Sequence, residues 1–186
     1  MDKLKIALAG PAGSGKSTVA NLVSSVKGFP FLRAKDITTP ILKRDGYDYS
    51  SGFQVEKFLQ TDKRQLEIFA KTLSQQSGEN FFITDRCMVD LAAYAIAGID
   101  YLTAETLDEI LYKAKTFSSE YDYVFLFKTG QLINNNKRTL NRHFQDMIYM
   151  LELGLLTEWD IPFIIIDQPV IDAQTKAGEI IKEVWK

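Results

Sequence analysis

The most specific chemistry in the sequence lies within nine residues near its start. Gly10-Pro11-Ala12-Gly13-Ser14-Gly15-Lys16-Ser17-Thr18 fits the spacing G-x-x-x-x-G-K-[ST]. Glycines let the backbone curl until successive N–H groups point inward, and such a nest binds phosphate oxygens. Ala12, Gly13, Ser14, Gly15, Lys16, Ser17 and Thr18 would line that nest, with the positive end of the following helix aimed at the same place. The Lys16 ammonium suits the charge of β- and γ-phosphates, and the Ser17 hydroxyl is placed to ligate Mg²⁺. A loop of this kind binds a nucleoside triphosphate.

A second group supplies the carboxylate such a loop requires. Phe81-Phe82-Ile83-Thr84 is apolar and is followed at once by Asp85 and Arg86. A charged residue directly after a buried strand costs free energy unless it finds a partner or faces a cleft. Beside a phosphate cradle, Asp85 reads as the second metal residue and Arg86 as a phosphate or substrate contact. A surface salt bridge between the two is the plainer alternative.

Positioning these groups needs a sheet. Four short apolar runs, Leu4–Ala9, Phe81–Thr84, Tyr123–Phe127 and Phe163–Ile166, have the length and residue types of buried parallel strands. Phe29–Arg33 is a weaker fifth, and Pro30 argues for an edge or a strand start. Helical spacing marks Ser17–Val26, Asp62–Gln76, Leu91–Ala97, Ala104–Phe117, Thr139–Leu156 and Ala173–Val184. Strands alternating with helices predict an α/β fold, a doubly wound five-stranded parallel sheet with helices on both faces. No repeat or linker divides the chain, so residues 1–186 read as one domain. Ligands of such sheets bind beyond the carboxyl ends of the strands, here Gly10, Asp85, Lys128 and Asp167.

Three segments together resemble the P-loop nucleoside and nucleotide kinases, among them nicotinamide-riboside kinase domains and thymidylate-type kinases. They are Gly10–Thr18, then Asp85-Arg86-x-x-x-Asp90-x-x-Ala93-Tyr94, then Lys137-Arg138-Thr139-Leu140-Asn141-Arg142. The resemblance implies strand order 2-3-1-4-5, Mg²⁺ and ATP as donor, and a small helical lid near 130–145. It also implies an acceptor site between the segment after the second strand and the helix after the third. Asp36 lies where related kinases carry a carboxylate that binds or deprotonates an acceptor hydroxyl; as an alternative it caps a helix of Ile37–Lys43, in which Pro40 sits awkwardly. Arg33, with Lys35, Lys43 and Arg44, could grip an acceptor phosphate or simply be solvated. Asp90 and Tyr94, four apart, share a helix face toward the acceptor, although Tyr94 also suits the core. Tyr47, Tyr49 and Phe53 offer an aromatic wall. Arg138 and Arg142, one turn apart, could close over the transferring phosphoryl group.

Composition excludes several other classes. The chain has 186 residues, 46% of them hydrophobic and 25% charged, with five prolines, which is a folded and not a disordered composition. Its longest nearly apolar stretch, Leu91–Ile99, is too short to span a membrane, and the run after Met1 is too short for a signal peptide. The single cysteine, Cys87, suits a reducing cytosol, so a cytoplasmic protein is expected. His143 is the one histidine, which leaves no zinc cluster or hydrolase triad. Residues 1–60 hold nine Lys/Arg against five Asp/Glu, and residues 61–186 hold thirteen against nineteen, an asymmetry that suits an anionic ligand near the N-terminal half. The expected reaction is transfer of a γ-phosphate from ATP to a hydroxyl or monophosphate of a nucleoside-like molecule. A modified base or end within a nucleic acid stays open as acceptor but is disfavoured by the acidic pI near 5.5. An NTPase switch is the reading from another class, weakened because Phe127-Lys128-Thr129-Gly130 lacks the Asp of a guanine-reading element. The oligomeric state, including a homodimer, stays open.

Overall fold

The computed structural model describes residues 3–46, 61–98, 100, 102–129, 141–166 and 173–186. Five strands form a wholly parallel sheet: β1 (Leu4–Ala9), β2 (Phe31–Leu32), β3 (Phe81–Thr84), β4 (Tyr123–Phe127) and β5 (Ile164–Ile166). Their order is β2-β3-β1-β4-β5, as the kinase resemblance implies. The register sets Ala7 beside Thr84 and Ala9 beside Leu126, so β1, β3 and β4 deliver their carboxyl ends to one edge. β1 lies in the middle with every residue buried, which requires cover on both faces.

That cover comes from seven helices among the described residues: α1 (Lys16–Lys27), α2 (Ala34–Arg44), α3 (Asp62–Ser77), α4 (Met88–Ala97), α5 (Ala104–Ser118), α6 (Arg142–Glu158) and α7 (Ala173–Val184). Side chains alternate across the strands and divide the core in two. Leu4, Ile6, Leu8, Ile83, Phe125 and Phe127 face α1 and α7. Ala7, Ala9, Phe82, Val124 and Leu126 face the layer built from α2 to α6. Fully burying a side chain such as Phe82 or Phe125 stabilises by about 1.5–3 kcal/mol, and both layers contain several such residues. The strand ends at the site are therefore held from above and below.

Several boundaries differ from the sequence expectation. The weak second strand shortens to Phe31–Leu32 and takes the sheet edge, consistent with Pro30 before it. The last strand starts at Ile164, one residue late. α4 begins at Met88, not Leu91, because Cys87 and Asp90 form a capping box that starts the helix three residues earlier. α2 begins at Ala34 and runs through Pro40. The proline has no N–H, so the Asp36 carbonyl loses its usual helical donor. The cap reading of Asp36 is thereby overturned: Arg33 is the N-cap, and Asp36 sits within the first turn. Thr139 and Leu140 lie outside the described residues, as does the lid from 130 to 140; α6 starts at Arg142 behind the Asn141 cap, whose side chain accepts the Phe144 amide at 3.2 Å. No helix among the described residues is long and apolar enough to cross a membrane.

Candidate active site

The loop from Gly10 to Gly15 joins β1 to α1 through three glycines with positive φ, at +140° for Gly10, +90° for Gly13 and +92° for Gly15. Gly10 has a second reason: a Cβ there would lie 2.6 Å from the Phe127 carbonyl oxygen, so only glycine lets the loop leave β1 against β4. Gly15 is the N-cap of α1 and has no side chain to satisfy the first amides of the helix, an arrangement that suits an anion at that end. Lys16 is buried and folded back into the loop. Its ammonium donates to the Gly10 carbonyl, to the Pro11 carbonyl at 3.0 Å and to Ser14 Oγ at 3.4 Å. Burial presses this lysine below its usual range, against the pull of Asp90 3.9 Å away.

Asp85 meets Ser17 across the mouth of the loop. Its Oδ2 accepts from the Ser17 hydroxyl, and its Oδ1 accepts the Ala34 amide at 2.9 Å. A hydroxyl and a carboxylate brought together are hard oxygen donors of the kind Mg²⁺ takes, and that ion needs few protein ligands because phosphates and water supply the others. The two residues fit the ion. The backbone carrying Asp85 and Arg86 is clamped by residues that sequence reasoning missed. Gln76, at the end of α3 and fully buried, donates to the Arg86 carbonyl at 2.8 Å and to Thr84 Oγ1 at 3.3 Å, and accepts from the Tyr121 hydroxyl at 2.6 Å. That hydroxyl in turn accepts the Met88 amide at 3.1 Å. The turn from Thr84 to Met88 is thus fixed from α3 and from Tyr121, just before β4.

Beneath the loop lies a polar layer. Asp90, on α4, is wholly buried; Oδ1 accepts the Gly10 amide at 3.3 Å, and Oδ2 accepts the Cys87 amide at 2.8 Å and thiol at 2.9 Å. The sequence places Asp90 toward the acceptor; in the fold its oxygens support the loop and start the helix. Burial pushes the Cys87 thiol well above its usual range. Tyr94, one turn on, accepts the Ala12 amide at 3.2 Å and lies under the Arg86 guanidinium, 4.7 Å from the ring centre. Burial raises its phenol to about 12, so it remains neutral. Burial works against the Arg86 charge, but the Asp90 and Asp85 carboxylates and the face of the Tyr94 ring favour it, and the guanidinium stays charged. Glu152, from α6, was not foreseen. It is fully buried, and neither oxygen has a hydrogen-bond partner as a carboxylate. Burial, then the neighbouring Asp90 charge, raise its pKa well above the usual range, and a proton on Glu152 is what would let the two acids bond.

The remaining expected residues are spread around this centre. Asp36 is exposed on the first turn of α2, two residues past the amide that Asp85 holds. Arg33 turns toward α1, donating to Asn21 Oδ1 at 2.9 Å and stacking on Phe31. Arg44 makes a bidentate pair with Glu67, at 2.7 and 2.8 Å. Arg142 opens α6 and pairs with Asp146 at 3.1 Å; Asp146 also accepts from Thr129 at 2.7 Å, which lowers its pKa. Arg138 and the aromatics Tyr47, Tyr49 and Phe53 lie outside the described residues.

Comparison with known proteins follows the same lines. The model of a family described as AAA domain matches residues 5–172. The chain belongs to the AAA domain family. No curated protein sequence matches it. Among solved structures, this AAA domain is similar to the NadR protein in complex with NR, at TM-score 0.70 and 13% identity over 98% of its own length. It spans half of that NadR chain. Thymidylate kinase from Candida albicans gives TM-score 0.67 and 22% identity, over 98% of this chain and 92% of the other. Deoxyadenosine kinase from M. mycoides with bound dATP gives TM-score 0.67 and 15% identity, over 98% and 100%. At such identities the likeness is one of fold: the AAA domain described here has the architecture of P-loop nucleoside and nucleotide kinases.

Proposed function

We propose that this AAA domain is an ATP- and Mg²⁺-dependent phosphotransferase acting on a hydroxyl or monophosphate of a nucleoside- or nucleotide-like small molecule. Residues 1–186 act as one catalytic unit with a lid near 130–145. The observation that carries the reading is the meeting of Ser17 with Asp85 at the mouth of a glycine loop that contains Lys16. The loop amides from Ala12 to Thr18 bind the phosphates, and Lys16 exchanges its carbonyl partners for phosphate oxygens. Ser17 and Asp85 would hold the Mg²⁺, which supplies neutralisation of the charge on the β- and γ-phosphate oxygens. Asp36 orients the acceptor hydroxyl and takes its proton as the acceptor oxygen bonds to the γ-phosphorus, while the bond from that phosphorus to the β–γ bridging oxygen breaks and ADP leaves. Arg86, spread over Tyr94, faces the transferred group, and Arg142 with Arg138 closes from the lid. Arg33, Asp90 and Tyr94 shape the acceptor side, Asp90 and Tyr94 through the loop amides they accept.

The kinase neighbours support a small-molecule acceptor, since the thymidylate and deoxyadenosine kinases are so named. A panel of nucleosides, nucleoside monophosphates and short oligonucleotides with γ-labelled ATP tests the proposal. Label on a nucleoside or monophosphate is expected. Label on the oligonucleotides alone would move the acceptor to nucleic acid.

A further inference from the structure

The Asp85 carboxylate belongs to two local structures at once. Oδ2 accepts from Ser17, in the first turn of α1, and Oδ1 accepts from the amide of Ala34, the first residue of α2. Arg33, the N-cap of α2, makes no side-chain cap of its own. Asp85 therefore caps α2 from another element, 51 residues further along the chain. The two helices it joins have separate duties under the proposed function. α1 carries the phosphate-binding loop residues, and the first turn of α2 carries Lys35 and Asp36 on the acceptor side. Both helix starts are positive ends, and the carboxylate between them is buried to 8% exposure, where its bonds are little weakened by water.

We infer that Asp85 couples occupancy of the phosphate loop to the seating of α2, holding Ser17 with one oxygen and the Ala34 amide with the other. The inference rests on reading the loop as a Mg²⁺-nucleotide site. A carboxylate is one rigid plane, so its two oxygens cannot be re-aimed independently. A cation drawn to Ser17 and Asp85 fixes the plane of the carboxylate, and with it the direction in which Oδ1 meets the Ala34 N–H. The first turn of α2 then tightens when the metal-nucleotide binds. By reciprocity, whatever seats α2 strengthens metal-nucleotide binding by the same factor. Asp85 acts on the acceptor side as a positioning residue.

Ala34→Pro deletes the donor with little other disturbance. Proline is favoured at the first helical position, and Arg33, at φ −94° and ψ 128°, already has the extended conformation that a residue before proline requires. Ala34→Gly retains the N–H and serves as control. The measurement is hydrogen–deuterium exchange of the Lys35, Asp36 and Ile37 amides with and without Mg²⁺ and AMP-PNP, with binding followed by calorimetry on the same samples. Wild type and Ala34→Gly should slow by up to about fivefold, the full effect of one cap bond on a first turn being the ceiling. Ala34→Pro should bind the nucleotide without that slowing. Equal slowing in Ala34→Pro, or none in wild type despite measured binding, overturns the inference. A second arm uses wild type alone and stands even if Ala34→Pro fails to fold. AMP-PNP in EDTA should leave these amides unchanged, and equal slowing without Mg²⁺ overturns the coupling. Failure of wild type to bind the nucleotide at all is seen separately by calorimetry, and it overturns the nucleotide reading together with this inference.

Discussion

The Lys16 ammonium donates to the Gly10 and Pro11 carbonyls and to Ser14, partners that all lie within the loop. Its loss removes charge from the nest without opening the core, and the desolvation cost it removes offsets the lost 3.9 Å pairing with Asp90. Lys16→Ala should therefore fold with a thermal midpoint near that of wild type and lose Mg-ATP turnover by at least about 10²-fold, the scale of one electrostatic contact in a transition state; undiminished turnover in the folded variant would be incompatible with the proposal. Asp36 is argued in the same way. It is exposed on a turn that begins two residues earlier, so no cap bond is lost on substitution. Asp36→Asn should leave the melting temperature unchanged and slow single-turnover transfer by about 10²-fold, the lower end for a general base because loose phosphoryl transition states need less help. A lower melting point with normal transfer would retire it. At this scale the sequence is readable where chemistry is contiguous: loop, Lys16, Ser17 and Asp85 stand in one motif or directly after one strand. Ala34, Gln76 and Glu152 are not readable, because an alanine amide, a glutamine ending a helix and a glutamate in an amphipathic helix acquire roles only through partners brought from 8 to more than 50 positions away.

Elements hold these residues through bonds that can be cut one at a time. Gln76 ties the end of α3 to the Arg86 carbonyl and, through Tyr121, to the start of α4. Gln76→Leu removes the donor to that carbonyl and leaves the Tyr121 hydroxyl with no buried acceptor there, at a cost of about 1–3 kcal/mol. At a temperature where the variant is still folded, the turn carrying Asp85 and Arg86 is looser, so kcat should fall more than nucleotide affinity; a loss of stability with kcat intact would limit Gln76 to a structural part. Glu152 makes a statement about pH. Its folded pKa lies well above the ordinary value of 4.5, so above that pH the folded chain binds more protons than the unfolded one. Stability then falls as pH rises toward the folded value, by up to about 1.4 kcal/mol per pH unit for one proton. Glu152→Gln carries no such proton, so between about pH 5 and 7 its stability should decline less steeply than that of wild type. Parallel curves in urea titrations at each pH would show that Glu152 does not titrate in this way. The early start of α4 has a signal that went unread: Asp90 three residues after Cys87 has the spacing of a capping box, though cysteine is an unusual first member.

On the scale of the whole molecule, the sheet order puts β1 between β3 and β4, so the glycine loop after β1 and the Asp85 turn after β3 emerge side by side. The strands forming this centre were legible because residues buried on both faces give continuous apolar runs, whereas the two-residue edge strand β2 gives almost none. The residues expected on an acceptor side were less legible, since Asp36, Asp90 and Arg142 stand on the separate helices α2, α4 and α6 and share no contiguous pattern. The proposed function makes water the competitor of the acceptor. The most direct test follows the label of γ-labelled ATP in a single turnover, with pooled nucleosides and nucleoside monophosphates and with Lys16→Ala as control. A phosphotransferase should place most of the label on an organic acceptor, release little as inorganic phosphate, and do neither in the variant. Label appearing only as inorganic phosphate, whatever acceptor is supplied, would contradict the account and leave this AAA domain a nucleotide hydrolase.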